Sequence, residues 1–138
     1  EKIIIGGMTK ILECYYDEGE YLAGKSTTLV YGCDHLPYIT AILNSRLITY
    51  FYSVFYNSMS LAGGFFRIGA PQIKNLPIAF PTKPEEIEYI ENLVKAIQDK
   101  YKSGEVDNIS DLFQKIDRKI YHIYGLSEAE IQCVEGGR

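Results

Sequence analysis

The chain has 138 residues, enough for one ordinary domain, and its 46% hydrophobic and 23% charged residues are typical of a folded protein and exclude a low-complexity one. Its formal net charge of −4 by itself argues against nucleic acid as a partner. The charge is uneven, however: residues 1–81 carry six Lys or Arg and six acids, whereas residues 82–138 carry eight against twelve. Phosphate therefore need not repel the first part of the chain.

The longest apolar run, residues 39–55, is interrupted by Asn-Ser-Arg at 44–46, which argues against a membrane span. The chain starts at Glu1 without the features of a signal peptide, so we expect a piece of a longer protein. Its cysteines are odd in number and lack a C-x-x-C pair, which predicts reduced thiols in a cytoplasmic protein. They are Cys14, Cys33 and Cys133.

Three β-branched and aromatic segments early in the chain predict strands: KIII at 2–5, KILECYY at 10–16 and STTLVYG at 26–32. Glycines and an acidic turn at 17–19 separate them, and we expect an antiparallel meander.

A single long helix is predicted over residues 36–56. Pro37 suits its first turn and Asp34 is a candidate N-cap. Apolar residues recur every fourth position from Ile39 to Phe55, so the helix has a broad apolar face and should be largely buried.

After this helix, FFRI at 65–68 predicts another strand. The prolines at 71, 77 and 81 disfavour any helix before Pro84.

Beyond residue 82 the pattern is helical. One apolar seam runs through Ile87, Ile90, Val94, Ile97 and Tyr101, and a second extends from Ile109 to Ile123. The motif S-x-x-E at 127–130 is typical of a capping box that begins a last short helix. The predicted fold is therefore α+β: a small antiparallel or mixed sheet on a long buried helix, followed by a helical hairpin and a short terminal helix.

No catalytic or metal-binding pattern is found in the sequence. His35 and His122 are isolated, the acids after Pro84 suit a helix N-terminus, and no glycine-rich phosphate loop is present. We therefore predict no catalytic residue, no metal and no cofactor within this chain.

Recognition remains as a function. Several residues in the predicted strands and loops are of the types that contact phosphates or base edges in DNA. These candidate DNA-binding residues are Lys10, Lys25, Thr27, Thr28, Arg67, Gln72, Lys74 and Asn75. For Asn44 and Ser45, in contrast, we expect a structural role.

Three motifs occur in a telling order. ITAILNSRL at 39–47 resembles L-x-x-L-L-N-S-K/R-L, LPIAFP at 76–81 resembles an L-P-I-P exit, and IDRKIYHIYGLSEAEI at 116–131 resembles I-D-x-x-V-Y-x-L-Y-G-L-S/T-x-x-E. In this order they resemble the C-terminal specificity domain of Taq-type adenine-specific DNA methyltransferases and of fused type II restriction–modification enzymes.

The resemblance implies a non-catalytic domain that reads a target in double-stranded DNA. Methyl transfer and S-adenosylmethionine binding would belong to an upstream methyltransferase domain of the same chain. Residues 1–83 would form the C-terminal part of the target-recognition domain and residues 84–138 a helical segment.

Two alternatives stay open. The two helical seams could dock another subunit, as the spacer helices of type I specificity subunits do; substitutions at Val94 and Ile97 would then matter greatly, and charge changes in residues 1–81 would matter little. An enzyme whose chemistry leaves no recognisable motif is the other alternative.

Overall fold

A computed structural model describes residues 1–57 and 60–136, so the last two residues of the predicted segment 84–138 lie outside the described part. The fold is α+β, as predicted, with two small antiparallel sheets and six α-helices among the described residues. No helix in these ranges is long and apolar enough to cross a membrane.

The larger sheet contains β1 (Lys2–Gly6), β3 (Cys14–Asp17) and β4 (Thr27–Val30) in the order β3-β1-β4. The meander expected from the sequence is therefore wrong, because β4 crosses over to pair with the free edge of β1. The central place suits β1, whose Ile3 and Ile5 are completely buried on the inner face of the sheet. The strand predicted at 10–16 is also shorter at its start than expected, because residues 10–13 form a connection.

The outer edge of β3 is covered by two side-chain amides. Asn44 accepts a hydrogen bond from the Cys14 N–H at 2.7 Å and donates to its carbonyl at 2.8 Å. Gln98 does the same for the Tyr16 N–H and carbonyl, at 3.1 and 2.9 Å. Two side chains thus replace a neighbouring strand, and the structural role expected for Asn44 is confirmed.

The predicted long helix is two helices, α1 (Leu36–Asn44) and α2 (Arg46–Phe55). Ser45 separates them with extended backbone (φ −68°, ψ 155°), and its hydroxyl caps α2 by accepting the Ile48 N–H at 3.2 Å. The residue before α1 is His35, in the left-handed region at φ 61°, with no side-chain cap. The cap expected from Asp34 is therefore not formed.

A second ladder joins β2 (Met8–Thr9) to β5 (Phe66–Arg67). β5 is shorter than the predicted strand 65–68 and includes only its two middle residues. The helix α3 (Ala70–Lys74) follows it, contrary to the expectation that no helix precedes Pro84. Pro71 is tolerated there because it lies in the first turn, where a helix needs no N–H donor.

The C-terminal helices are α4 (Pro84–Ser103), α5 (Ile109–Ile123) and α6 (Glu128–Gly136). The first seam is buried from Ile87 to Ile97, but its last predicted member, Tyr101, is 57% exposed. The seams belong to the same hydrophobic core as the sheet and α1. The capping box is confirmed, with reciprocal hydrogen bonds of 3.2 and 3.3 Å between Ser127 and Glu130.

The proline-rich connection at 76–81 is fixed by two tyrosines. Tyr38 on α1 donates to the Ala79 carbonyl at 2.6 Å, and Tyr124 after α5 donates to the Pro77 carbonyl at 2.6 Å. The Ala79 N–H in turn donates to the Tyr124 oxygen at 3.0 Å. This extended segment is therefore tied to both halves of the chain.

Candidate nucleic-acid interface

The β2–β5 ladder has an inner and an outer face. Thr9 pairs with Phe66, and these side chains point inward: Thr9 is buried, and the Phe66 ring contacts Tyr52 edge-on at 5.5 Å. Met8 pairs with Arg67, so both point outward, and the same register places Lys10 opposite Phe65. The Lys10 Nζ lies 5.1 Å from the centre of the Phe65 ring.

The ladder continues into a tight hairpin formed by residues 60–66. Ser60 forms an isolated antiparallel bridge to Phe66, and the Leu61 N–H donates to the Phe65 carbonyl at 2.6 Å. The tip of the hairpin turns through a short 3₁₀ segment, Ala62–Gly64, in which Gly63 has a φ of 79°. The tip is exposed throughout.

Lys25 lies near this ladder, because the next residue, Ser26, packs against Gly7, which directly precedes β2. The Ile68 N–H donates to the Gly7 carbonyl at 2.9 Å, while the carbonyl of Ser26 leaves no room for a Cβ at Gly7. The exposed residue Lys25 directly precedes Ser26, so the structure brings the start of β4 against the β2–β5 ladder.

The two threonines predicted on β4 point to opposite faces of the sheet. Thr28 pairs with Ile5 and shares the inner face, whereas Thr27 pairs with Gly6 on the outer face. The Thr27 hydroxyl donates to the Gly24 carbonyl at 2.7 Å, which closes the turn before β4.

The three candidates after β5 lie on or directly after α3. The side-chain amide oxygen of Gln72 accepts the Gly69 N–H at 3.1 Å and so caps the helix. The Asn75 amide donates to the Pro71 carbonyl at 3.0 Å. Lys74, in the last turn, is exposed. Both amides thus have local structural bonds, whereas the Lys74 ammonium extends into solvent.

The six cations of residues 1–81 divide into two groups. Lys2 is bound to the buried carboxylate of Asp17, and Arg46 lies 3.7 Å from carboxylate oxygens of Asp117 and Glu135. The others have no acidic partner within the described residues and are all exposed. They are Lys10, Lys25, Arg67 and Lys74, the four cations that the sequence predicts to bind DNA.

A groove of about 830 Å³ lies between the larger sheet, the α1–α2 junction and α4–α5. Cys14 is among the residues that line it, and burial, together with the neighbouring Glu13, raises the pKa of the Cys14 thiol to about 12, which disfavours the reactive thiolate form. Among residues 1–57 and 60–136 no three His, Cys, Asp or Glu side chains are grouped to bind a metal ion.

Sequence reasoning did not select Met8 and Phe65, which are 58% and 38% exposed on the outward face of the ladder. The signal for them is alternation: once Thr9 and Phe66 are known to point inward, their neighbours must point outward. The register of a two-residue ladder cannot be derived from so short a pattern.

The sequence of residues 1–78, more than half of the chain, matches the model of a protein family described as the TaqI-like C-terminal specificity domain. No curated protein matches the chain. Specificity domains of this family are in general not catalytic, and they belong to restriction–modification systems. The chain is therefore a member of the TaqI-like C-terminal specificity domain family.

Proposed function

We propose that this chain recognises a target sequence in double-stranded DNA as the specificity domain of an adenine-specific DNA methyltransferase, with or without a fused type II endonuclease. One observation carries the proposal: the four cations of residues 1–81 that have no acidic partner within the described residues lie in β5, directly after β2, just before β4 and in α3, all within the part that matches the family. Unpaired cations are what a surface needs to neutralise phosphates and release their counterions.

The overall charge of −4 does not oppose this function, because the excess of acids lies in residues 82–138. The candidate surface carries Lys10, Lys25, Arg67 and Lys74. In the proposed complex these cations bind phosphates and fix the register, and Arg67 can also reach a guanine edge. Thr27, Gln72 and Asn75 would assist where their local hydrogen bonds leave donors or acceptors free, whereas the inner-face position of Thr28 argues against a contact with DNA.

The chain does not itself transfer a methyl group in this proposal. An upstream methyltransferase domain of the same polypeptide would bind S-adenosylmethionine and take the target adenine out of the stack, while the specificity domain holds the surrounding duplex. The location would be the cytoplasm.

The alternative of a subunit-docking module depends on the seams of α4 and α5. Val94 and Ile97 are each only 5% exposed, and they pack into the core of the chain itself. Substitution there would therefore disturb folding, and a docking function would have to use other residues of these helices.

The experiment is the binding of the 138-residue chain to a mixed-sequence duplex, measured by fluorescence anisotropy from 20 to 300 mM salt. Each neutralised phosphate contributes about −0.9 to the slope of log K against log salt, so four contacts give about −3.6. Affinity that does not change with salt, or no affinity at the lowest salt, would contradict DNA binding by this surface.

A further inference from the structure

The outward face of the β2–β5 ladder combines apolar and cationic side chains in a fixed arrangement. Met8 lies opposite Arg67, and Phe65 lies opposite Lys10, whose ammonium sits over the Phe65 ring. The inner side chains anchor the ladder, because the Tyr52 hydroxyl donates to the Arg67 carbonyl at 3.2 Å and its ring contacts Phe66. Two exposed apolar side chains thus lie beside two cations that have no acidic partner within the described residues.

Of the four residue types on this face, Met, Phe and Arg are enriched in the centres of protein–protein interfaces and only lysine is depleted, so the choice of DNA rests on the proposed function and on the two cations of this face. They are complementary to the phosphates that border a DNA groove. An antiparallel ribbon is one of the elements that the major groove admits, and the only apolar group exposed on a base edge there is the thymine methyl group. The minor groove carries no methyl group.

We propose that the outward face of the β2–β5 ladder lies in the major groove, where Met8 and Phe65 contact thymine methyl groups while Lys10 and Arg67 bind the bordering backbone or bases. This inference rests on the proposed function and extends it, because it adds two specificity-determining residues to the cationic ones. Phe65 would also position a cation for DNA binding, since its ring holds the Lys10 ammonium in place.

The test uses the whole chain and duplexes selected by it from a randomised pool, each then synthesised with thymine or with uracil, which lacks the methyl group. Loss of one buried methyl contact weakens binding about fourfold. We expect wild type to bind the uracil duplex about 4-fold to 15-fold more weakly, for one or two contacts. Met8→Ala should reduce this ratio, Met8→Leu should retain it, and neither should change the dependence on salt.

Phe65→Ala carries a risk for folding, so Met8→Ala, at a more exposed position, is the decisive variant. Equal binding of thymine and uracil duplexes, or selected duplexes without thymine, overturns the proposal for the ladder but leaves salt-dependent DNA binding intact. A chain that binds no duplex at any salt overturns autonomous DNA recognition by this chain as well, so the two failures are distinguishable.

Discussion

Asp17 shows how one residue can fix a whole loop next to the candidate interface. Its carboxylate is 1% exposed, accepts a hydrogen bond from Lys2, and accepts two more from the N–H groups of Glu20 and Tyr21 at 3.0 and 3.4 Å. The Lys2 ammonium also donates to the Tyr21 carbonyl at 2.7 Å. The loop at 18–26, which ends with Lys25 and Ser26, is therefore anchored at its start by one buried charge.

The stability of the fold should depend on this carboxylate in acid. The hydrogen bond from Lys2, helped by those backbone N–H groups, lowers the pKa of Asp17 from 3.8 to about 2. A lowered pKa in the folded state means that the stabilisation is complete above pH 4 and is lost as the pH falls towards 2. We expect the urea midpoint of the wild type to fall between pH 4 and pH 2. Asp17→Asn should have a lower midpoint at pH 7, and its midpoint should fall less between pH 4 and pH 2.

The matched control is Asp34→Asn, which removes the same charge from an exposed position without a hydrogen bond in the described residues. Some acid dependence should survive in Asp17→Asn, because the hydrogen bond from Lys119 lowers the pKa of Glu86 in the same direction. If the urea midpoint of Asp17→Asn fell between pH 4 and pH 2 as much as that of the wild type, Asp17 would not anchor the loop.

At the scale of elements, the edge of β3 is closed by helices instead of by a strand. Asn44 ends α1, and Gln98 lies in the C-terminal half of α4; each pairs with both the N–H and the carbonyl of one β3 residue. An exposed strand edge invites pairing with another chain, and a side-chain amide satisfies the same donor and acceptor. These two amides thus fix the sheet to both helices.

Removal of either amide should destabilise the fold. Asn44→Ala and Gln98→Ala each leave a half-buried backbone donor and acceptor without partners, at a cost of about 1–3 kcal/mol. Urea unfolding measures this loss, with Asn92→Ala on the exposed side of α4 as the control. A change below about 0.5 kcal/mol for both variants would mean that water replaces the amides without loss.

The same elements show where sequence reasoning succeeds. The helices of the C-terminal part, with their ends at Gly104 and Gly125, follow from long apolar periods and strong stop signals, and both glycines adopt positive φ. The break at Ser45 was not predicted, because apolar spacing continues through it and only the backbone shows the extended conformation. The order of the strands was missed because it depends on the pairing of β4 with β1, which is non-local.

For the candidate site, too, some features follow from the sequence and others do not. The exposure of Lys10, Lys25, Arg67 and Lys74 agrees with the sequence-based choice, since charged residues in loops and short strands seldom lie buried. The local hydrogen bonds of Gln72 and Asn75 depend on α3, which the prolines had argued against. The DNA-binding role of all eight candidates stays a prediction.

At the scale of the whole molecule, one core joins the part that matches the family to the helices beyond it. Ile90 and Ile120 are completely buried, and they belong to the same cluster as Ile3, Ile5 and Ile42. The division at residue 83 stays a prediction about function. In packing terms, however, α4 and α5 complete the core of the first part.

A fragment of residues 1–83 should therefore fail to fold by itself. It would expose Ile3, Ile42 and the other core residues that α4 and α5 cover, and it would lose Gln98 from the edge of β3. We expect circular dichroism and proton NMR to show a chain without fixed tertiary packing, and addition of a peptide of residues 84–136 to restore it. Dispersed NMR signals from the fragment alone would contradict a shared core.

The most direct test of the central claim compares two variants with equal loss of charge. The first is a quadruple variant that removes the four cations of the candidate surface: Lys10→Ala, Lys25→Ala, Arg67→Ala and Lys74→Ala. The second is a quadruple control variant that removes three exposed lysines and one exposed arginine in or next to the C-terminal helices: Lys83→Ala, Lys95→Ala, Lys115→Ala and Arg118→Ala. Both variants keep every ion pair found in the described residues, so both should fold.

The measurement is duplex affinity against salt for wild type and both variants. We predict that the first variant loses most of the affinity at low salt and that its slope becomes shallower by about 3.6, while the second keeps a slope close to that of wild type. Equal losses in the two variants would mean that DNA responds only to net charge, and a greater loss in the second would place the contact surface on the C-terminal helices.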